Sequence, residues 1–428
     1  MIRIRWSDPE PDSPTTLIPW PWAAVITATL FLNFPFWGYS LELGAIYTLP
    51  VNAGVIAIVA LLITALFFAG PALASHAAQR PLFDVVACSI GSIPAYCLRI
   101  CCVWFLVRWV AGVIAWPALY VVGNIPPYER WAILFALLGL LFITGLQSFQ
   151  TSAKLALFSC KLGLAVLAAA LIRVHHGWPA IYAGFPNNTV YSPVSIVWHG
   201  LSELALGLAP VLFLAADFGY RMRGRKQAAM AAVMGVAMPL WGTLLIASAI
   251  SVATYASPYY TPSLNPDVGM ALVSKAAQSA LPGRIMIITM TAFGAVRFGA
   301  RAIATAVATP VHGRWFVRVV FGCLSGVIAW CCVGDWNPIQ TTSGSVTDVC
   351  LAAAAAVVTA DFVSGKRRPE PVPKIDWIGF TALLAGFATA YIVQFWILQA
   401  NAEAGLLPLY AVAFAVCTLG RRFHSLLP

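Results

Sequence analysis

Charge is what this chain has least of. Only 9% of its 428 residues are Asp, Glu, Lys or Arg, where a soluble domain carries about 25%. Acids are the scarcer sign, fifteen against twenty-five bases. With so few charges and 61% hydrophobic residues, no soluble core could hide the apolar surface, which excludes a water-soluble fold. The sequence also has no long basic arm, so its net charge of +10 does not point to nucleic acid. It has no His-Glu-x-x-His spacing, no Gly-x-Ser-x-Gly elbow and no phosphate loop, so an enzyme is not expected. All ten cysteines lie in apolar runs, where they act as small hydrophobic residues, so neither a disulfide framework nor a metal site is expected. No cofactor motif is present. The N-terminal stretch contains Asp8, Glu10 and Asp12, and no small-residue cleavage site follows the first apolar run, so no removable signal peptide is expected.

What the chain does have is a succession of apolar runs long enough to cross about 30 Å of hydrocarbon. They fall near residues 22–47, 50–70, 84–114, 130–146, 153–174 and 193–216, then 228–255, 285–309, 315–333, 344–363, 377–400 and 405–421. The expectation is an all-α polytopic membrane protein with about twelve transmembrane helices. With the N-terminus in the cytosol, sixteen loop bases fall on the inner side and only Arg130, Arg173, Lys275 and Arg284 on the outer. This asymmetry places both termini inside, with the plasma membrane (a bacterial inner membrane) as the expected location.

Two of the runs carry helix breakers near their middles. Span one contains Asn33-Phe34-Pro35-Phe36-Trp37-Gly38, and span six contains Gly207-Leu208-Ala209-Pro210. A broken helix frees backbone carbonyls and amides, which lipid does not tolerate unless they line a cavity or bind something. Breaks at matching places in two halves point to the substrate site of a secondary transporter.

Several segments, in order, resemble the nucleobase:cation symporter-1 family of purine, cytosine and hydantoin permeases. Trp37-Gly38 with Leu43-Gly44 is similar to its first helix, and Ile93-Pro94, Arg99 and Trp104-Phe105 to its third, with Leu106 in place of a glycine. Ala216-Asp217-Phe218 with Arg221 resembles the exit of its sixth helix, and Thr359-Ala360-Asp361-Phe362 before Lys366-Arg367-Arg368 the end of its tenth. The resemblance implies a five-plus-five inverted-repeat body with discontinuous first and sixth helices. The parts would be a tail over residues 1–20, repeats over 21–174 and 193–363, a basic linker over 364–376, and two peripheral helices within 377–428. It also implies a small-molecule substrate in the bilayer, stacked on Trp104 and flanked by Arg108, Phe36, Trp37, Gly38, Gly207 and Leu208. A second aromatic that the family places on span six is replaced here, near Leu208.

Five bases lie within spans: Arg99, Arg108, Lys161, Arg297 and Arg301. An unpaired charge at mid-bilayer costs about 2.5–3.5 kcal/mol on the mildest scale, so each needs a partner or water. The expected acids are Glu42, Asp84, Glu203, Asp217, Asp348 and Asp361, with Glu42, Glu203 and Arg108 forming one network. Arg297 and Arg301 lie one turn apart on span eight. In the resembling family that helix serves a sodium ion, but guanidinium groups can only donate hydrogen bonds. They would therefore replace the ion, or else pair with acids such as Glu203. Without sodium, Glu42, Glu203 and Lys161 are all candidate proton carriers, the lysine because burial lets it titrate near neutrality. The expected cargo is a small planar nitrogen heterocycle such as a nucleobase or pyrimidine vitamin precursor. The alternatives are an anionic or amino-acid-like solute, suited to Arg108, or a transport-dead receptor or scaffold.

Overall fold

The structure, a computed structural model, describes residues 18–32, 53–120, 149–173, 175–179, 208–255, 343–365, 371–393 and 406–426, with isolated positions 320, 323, 324 and 327. Among the described residues all regular structure is helical and there is no strand. This is how apolar segments satisfy every backbone group within themselves when no water is at hand. The helices are α1 (Trp20–Ala28), α2 (Ala53–Ile63), α3 (Gly70–Ala78), α4 (Leu82–Ile90), α5 (Ser92–Tyr120) and α6 (Phe149–Arg173). After them come α7 (Arg225–Ala232), α8 (Met238–Tyr255), α9 (Ser343–Val363), α10 (Trp377–Ile392) and α11 (Leu406–Leu426). Among the described residues five stretches are long and apolar enough to cross a bilayer: Ala53–Ala78, Ser92–Ala111, Lys154–Ile172, Arg225–Ile250 and Val346–Val363. They coincide with the expected second, third, fifth, seventh and tenth spans.

Span two runs further than hydropathy suggests, to Ala78, through the Gly70-Pro71 pair that would ordinarily stop a helix. Proline lacks an N–H, and its ring collides with the carbonyl four residues back. A wider π segment, Thr64–Ala69, immediately precedes that pair and takes up the mismatch. The carbonyl of Leu66 in that segment accepts a hydrogen bond from the Tyr410 hydroxyl at 3.0 Å. Span seven repeats the device: the π segment Val233–Ala237 precedes Met238-Pro239. Spans two and seven thus share a proline placed just after a π segment.

Span three is not the single rod expected over 84–114. It is cut at Gly91, whose φ of 98° lies where L side chains are strained. A Cβ there would also sit 2.5 Å from the Ile375 Cα. The reason for the cut is tertiary: the Ser92 and Ile93 amides donate to the carbonyls of Pro373 and Lys374, and the Asp376 amide donates to Ile90. The segment after span ten is thereby stitched to the cut.

At the centre stands α9. Ala352 to Val358 are each at most 1% exposed, and the run of five alanines lets neighbouring backbones come close where lipid supplies no driving force for helix association. Helices α3, α4, α5, α10 and α11 all pack against it.

Candidate substrate site

Span one gives the first local test of a broken helix. Its α-helix stops at Ala28, and residues 29–32 form a tight turn with Leu30 N–H donating to Thr27 O at 3.0 Å and Phe31 N–H to Ala28 O at 3.1 Å. Two threonines help end the helix by returning their hydroxyls to the backbone, Thr27 to Ala23 O at 2.8 Å and Thr29 to Ile26 O at 2.6 Å. The turn is not a surface feature, since Leu30, Phe31 and Leu32 are buried. The α-helix of span one therefore ends inside the packed body, ahead of the Asn33 to Gly38 stretch, which lies outside the described residues. On span six, Leu208, Ala209 and Pro210 of the expected break are themselves helical, in a helix over 208–215 that passes into a 3-10 turn, Ala216–Arg221, with Leu208 buried; the residues before 208 lie outside the described residues.

Helix α1 is held against the span-seven rod at Gly235, where an added Cβ would lie 2.7 Å from the Ala24 Cα. On span five the Cys160 thiol reaches the Val25 carbonyl at 3.7 Å.

On α5, Trp104 is 44% exposed and extends a stripe with Ile93, Tyr96 and Ile100. Arg108 follows one turn later and is partly buried. It lies within electrostatic reach of Asp348 on α9, an acid only 8% exposed whose Oδ1 has no hydrogen-bond partner among the described residues. Sequence reasoning counted Asp348 among the available acids but grouped Arg108 with Glu42 and Glu203. An acid at similar depth on span ten was the available signal; nothing in sequence spacing says that spans three and ten touch.

Lys161 differs from its expectation. A proton-carrying role needs it buried, yet it is exposed, on the same face of α6 as Leu157, Phe158, Leu164 and Ile172. Periodicity could not distinguish that outward face from an inward one, because α6 is apolar nearly all round.

Three of the acids named in the sequence prove to serve architecture. Asp217 Oδ1 accepts the Leu82 amide at 2.8 Å, tying the start of α4 to the end of span six. Asp84 pairs with Arg99 at 3.2 Å in a half-exposed position, and the Arg99 guanidinium lies over the Phe83 ring. Asp361 receives Arg421 Nε at 2.8 Å, while Nη1 of the same guanidinium meets Asp376 at 2.8 Å and Nη2 reaches the Ser89 carbonyl at 3.1 Å. Asp376 also caps α10 by accepting the Gly379 amide at 3.0 Å. One arginine thus joins α4, α9, α10 and α11. Arg221 is buried beside its neighbour Tyr220, whose hydroxyl accepts from Nε at 2.6 Å.

Phe36, Trp37, Gly38, Glu42, Glu203, Gly207, Arg297 and Arg301 lie outside the described residues. Among the described residues no group of three or more His, Cys, Asp or Glu side chains could hold a metal ion.

No family model matches the chain, and no curated protein does. Solved structures do. A Na+-coupled sialic acid symporter in a substrate-bound outward-open state superposes with a TM-score of 0.68 at 11% identity, over 95% of this chain and 90% of its own. Mhp1, a nucleobase-cation-symport-1 family transporter in a closed conformation with bromovinylhydantoin bound, gives 0.61 at 12% identity, over 94% and 92%. A manganese transporter of Eremococcus coleocola gives 0.54 at 15% identity, over 96% and 97%. The chain has the polytopic inverted-repeat fold of these proteins along nearly its whole length. Their cargoes differ so widely that the shared fold does not select among them.

Proposed function

We propose that the chain is a secondary transporter that moves a small planar nitrogen heterocycle across the membrane by alternating access, without sodium. The observation that carries this is the end of the span-one α-helix at Ala28 in a buried turn over residues 29–32, just ahead of Pro35 and Gly38 in the sequence. Unwound backbone inside a membrane body is warranted where it faces a bound solute. The fold shared with solved transporters supports the same reading, and both termini would be cytosolic, as the sixteen inner bases require.

The substrate would lie between the unwound parts of spans one and six, with Phe36, Trp37, Gly38, Gly207 and Leu208 on its edges and Trp104 under its plane. Offset stacking on an indole face suits a flat, weakly polar ring. Asp348 bears on the choice between cargoes. With a carboxylate inside its electrostatic reach, Arg108 is a weaker attractor for an anionic solute, which favours the neutral heterocycle over the anionic alternative. Arg297 and Arg301 would occupy the sodium position and donate to the carbonyls freed in span one. A proton would then drive accumulation, carried by Glu42, Glu203 or the buried Asp348.

The test is uptake of radiolabelled cytosine, uracil, hypoxanthine and hydantoin into proteoliposomes holding the purified chain, with sodium or choline outside. Saturable uptake of one of these, unchanged by sodium, is the expected result. Uptake that requires sodium removes the arginine-for-ion idea. Uptake of amino acids or carboxylates alone removes the heterocycle.

A further inference from the structure

Spans two and seven fail to close their hydrogen-bond ladders at the same place and for the same reason. In span two the Gly70 amide donates five residues back, to Ala65, so in that register the Leu66 carbonyl should receive the amide of residue 71, which is a proline. In span seven the Met238 amide donates five residues back, to Val233, and Pro239 deprives the Met234 carbonyl in the same way. The two carbonyls then differ. The Tyr410 hydroxyl of α11 donates to Leu66 at 3.0 Å, in place of the amide that Pro71 lacks, whereas no side chain among the described residues donates to Met234.

The helices on either side of these two joints are bound into two groups. On one side α1 packs on α7, α7 on α3, and α3 on the 3-10 turn Ala216–Arg221. The Ile18 amide, just before α1, donates to the Arg221 carbonyl at 2.9 Å, and Asp217 accepts the Leu82 amide, just after α3, at 2.8 Å. Gly219 lies so near the Ala72 carbonyl that a Cβ would collide with it. On the other side α2 packs on α8, and the Trp241 indole N–H reaches the Ala53 carbonyl at 3.3 Å. The π segments, which also pack against each other, connect one group to the other along spans two and seven. A wide turn beside a proline is where a helix bends, because fewer ladder bonds cross it. Two such joints side by side share one line of bending.

We propose that spans two and seven bend together at their π segments, swinging α1, α3, α7 and the 3-10 turn as one unit against α2 and α8, and that Tyr410 is the positioning residue that latches the joint. Tyr410 is built for this. It is 6% exposed, its ring meets Phe67 of the π segment edge-on at 5.5 Å, and it comes from α11, which belongs to neither group. The unit carries the first helix of span one and the turn that ends span six, so its swing moves the ends of both spans that flank the proposed substrate site. The use of the swing in transport rests on the alternating-access reading; the joint and its latch do not.

The experiment is hydrogen–deuterium exchange, read by mass spectrometry on the full chain in phosphatidylcholine nanodiscs, and it needs no cargo. Tyr410→Phe removes only the hydroxyl, and amides over residues 67–74 should then exchange roughly fivefold faster, as the loss of one hydrogen bond implies. Residues 236–243 of span seven should speed up as well, because the unit moves as one, whereas a merely local role for the hydroxyl predicts no change there. Adding Pro71→Ala to Tyr410→Phe gives Leu66 a backbone amide and should return both stretches to the parent rate. Pro239→Ala does the same for Met234 and should slow both stretches with Tyr410 intact, a test that stands even if Tyr410→Phe does not fold. Tyr391→Phe on α10 is the control and should change neither stretch. Faster exchange confined to span two, faster exchange throughout α10 and α11 too, no rescue by Pro71→Ala, or no change in any variant overturns the proposal. The expected exchange pattern in a protein that takes up no heterocycle supports the joint and counts against the transport reading alone.

Discussion

Replacing Arg421 by Gln should destabilise the protein far more than replacing Arg99, although each is an arginine bound to aspartate. The Arg421 side chain is 11% exposed, and its two carboxylate partners, Asp361 and Asp376, are 9% and 12% exposed. Removing the guanidinium leaves two carboxylates in a nearly dry setting without their counter-ion, together with the Ser89 carbonyl that Nη2 served. Breaking a buried pair by deleting one partner costs about 3–5 kcal/mol. The Arg99–Asp84 pair, at 3.2 Å with side chains 25% and 52% exposed, belongs to the class measured at about 0–1 kcal/mol. The assay is loss of monodisperse protein on heating in detergent, followed by fluorescence-detected size exclusion, for Arg421→Gln, Arg99→Gln and Asp361→Asn. The combined Asp361→Asn, Arg421→Gln protein completes a cycle and should recover part of the loss, because one of the two carboxylates that Arg421 served is then neutral. Equal losses for Arg421→Gln and Arg99→Gln, or no recovery in the combined variant, would refute the argument that burial makes the difference.

Trp104→Ala should weaken uptake of the heterocycle roughly tenfold through KM, while Tyr96→Ala on the same exposed stripe should leave it unchanged; equal effects would mean that the whole stripe faces lipid. Gly235→Leu forces a side chain onto the Ala24 backbone, which cannot yield as a flexible side chain would, and should lower apparent thermal stability by about 1–3 kcal/mol. If Asp348 carries the coupling proton, it is loaded only below its pKa. Uptake should then fall as external pH rises, and Asp348→Asn should flatten that profile while exchange of labelled for unlabelled substrate continues. A profile unchanged in Asp348→Asn assigns the proton to Glu42 or Glu203.

The two π segments show where local reading runs out. Pro71 and Pro239 look like helix ends, and a reader of hydropathy stops span two at Gly70. The helix continues because a wider turn and the Tyr410 hydroxyl, from a helix more than three hundred positions later, take care of the released carbonyl. Gly91 shows the opposite error. Its neighbours are apolar on both sides, so the run reads as one span, yet hydrogen bonds to Pro373 and Lys374 hold it cut.

Composition and order alone determined that this chain is a multi-pass membrane protein, that it is helical, and where the second, fifth, seventh and tenth spans lie. Those are properties of single segments: a segment's transfer into hydrocarbon and its need to close its own hydrogen bonds do not depend on its neighbours. Only the folded bundle decided that Asp217 and Asp361 hold helices together, that Arg108 comes within electrostatic reach of Asp348, that Lys161 is exposed, and that two arginines distant in sequence, Arg80 and Arg225, line one cavity. A charge's role in a membrane protein is set by what lies across from it, and which helices stand side by side is a property of the whole packing, written in no single run of residues.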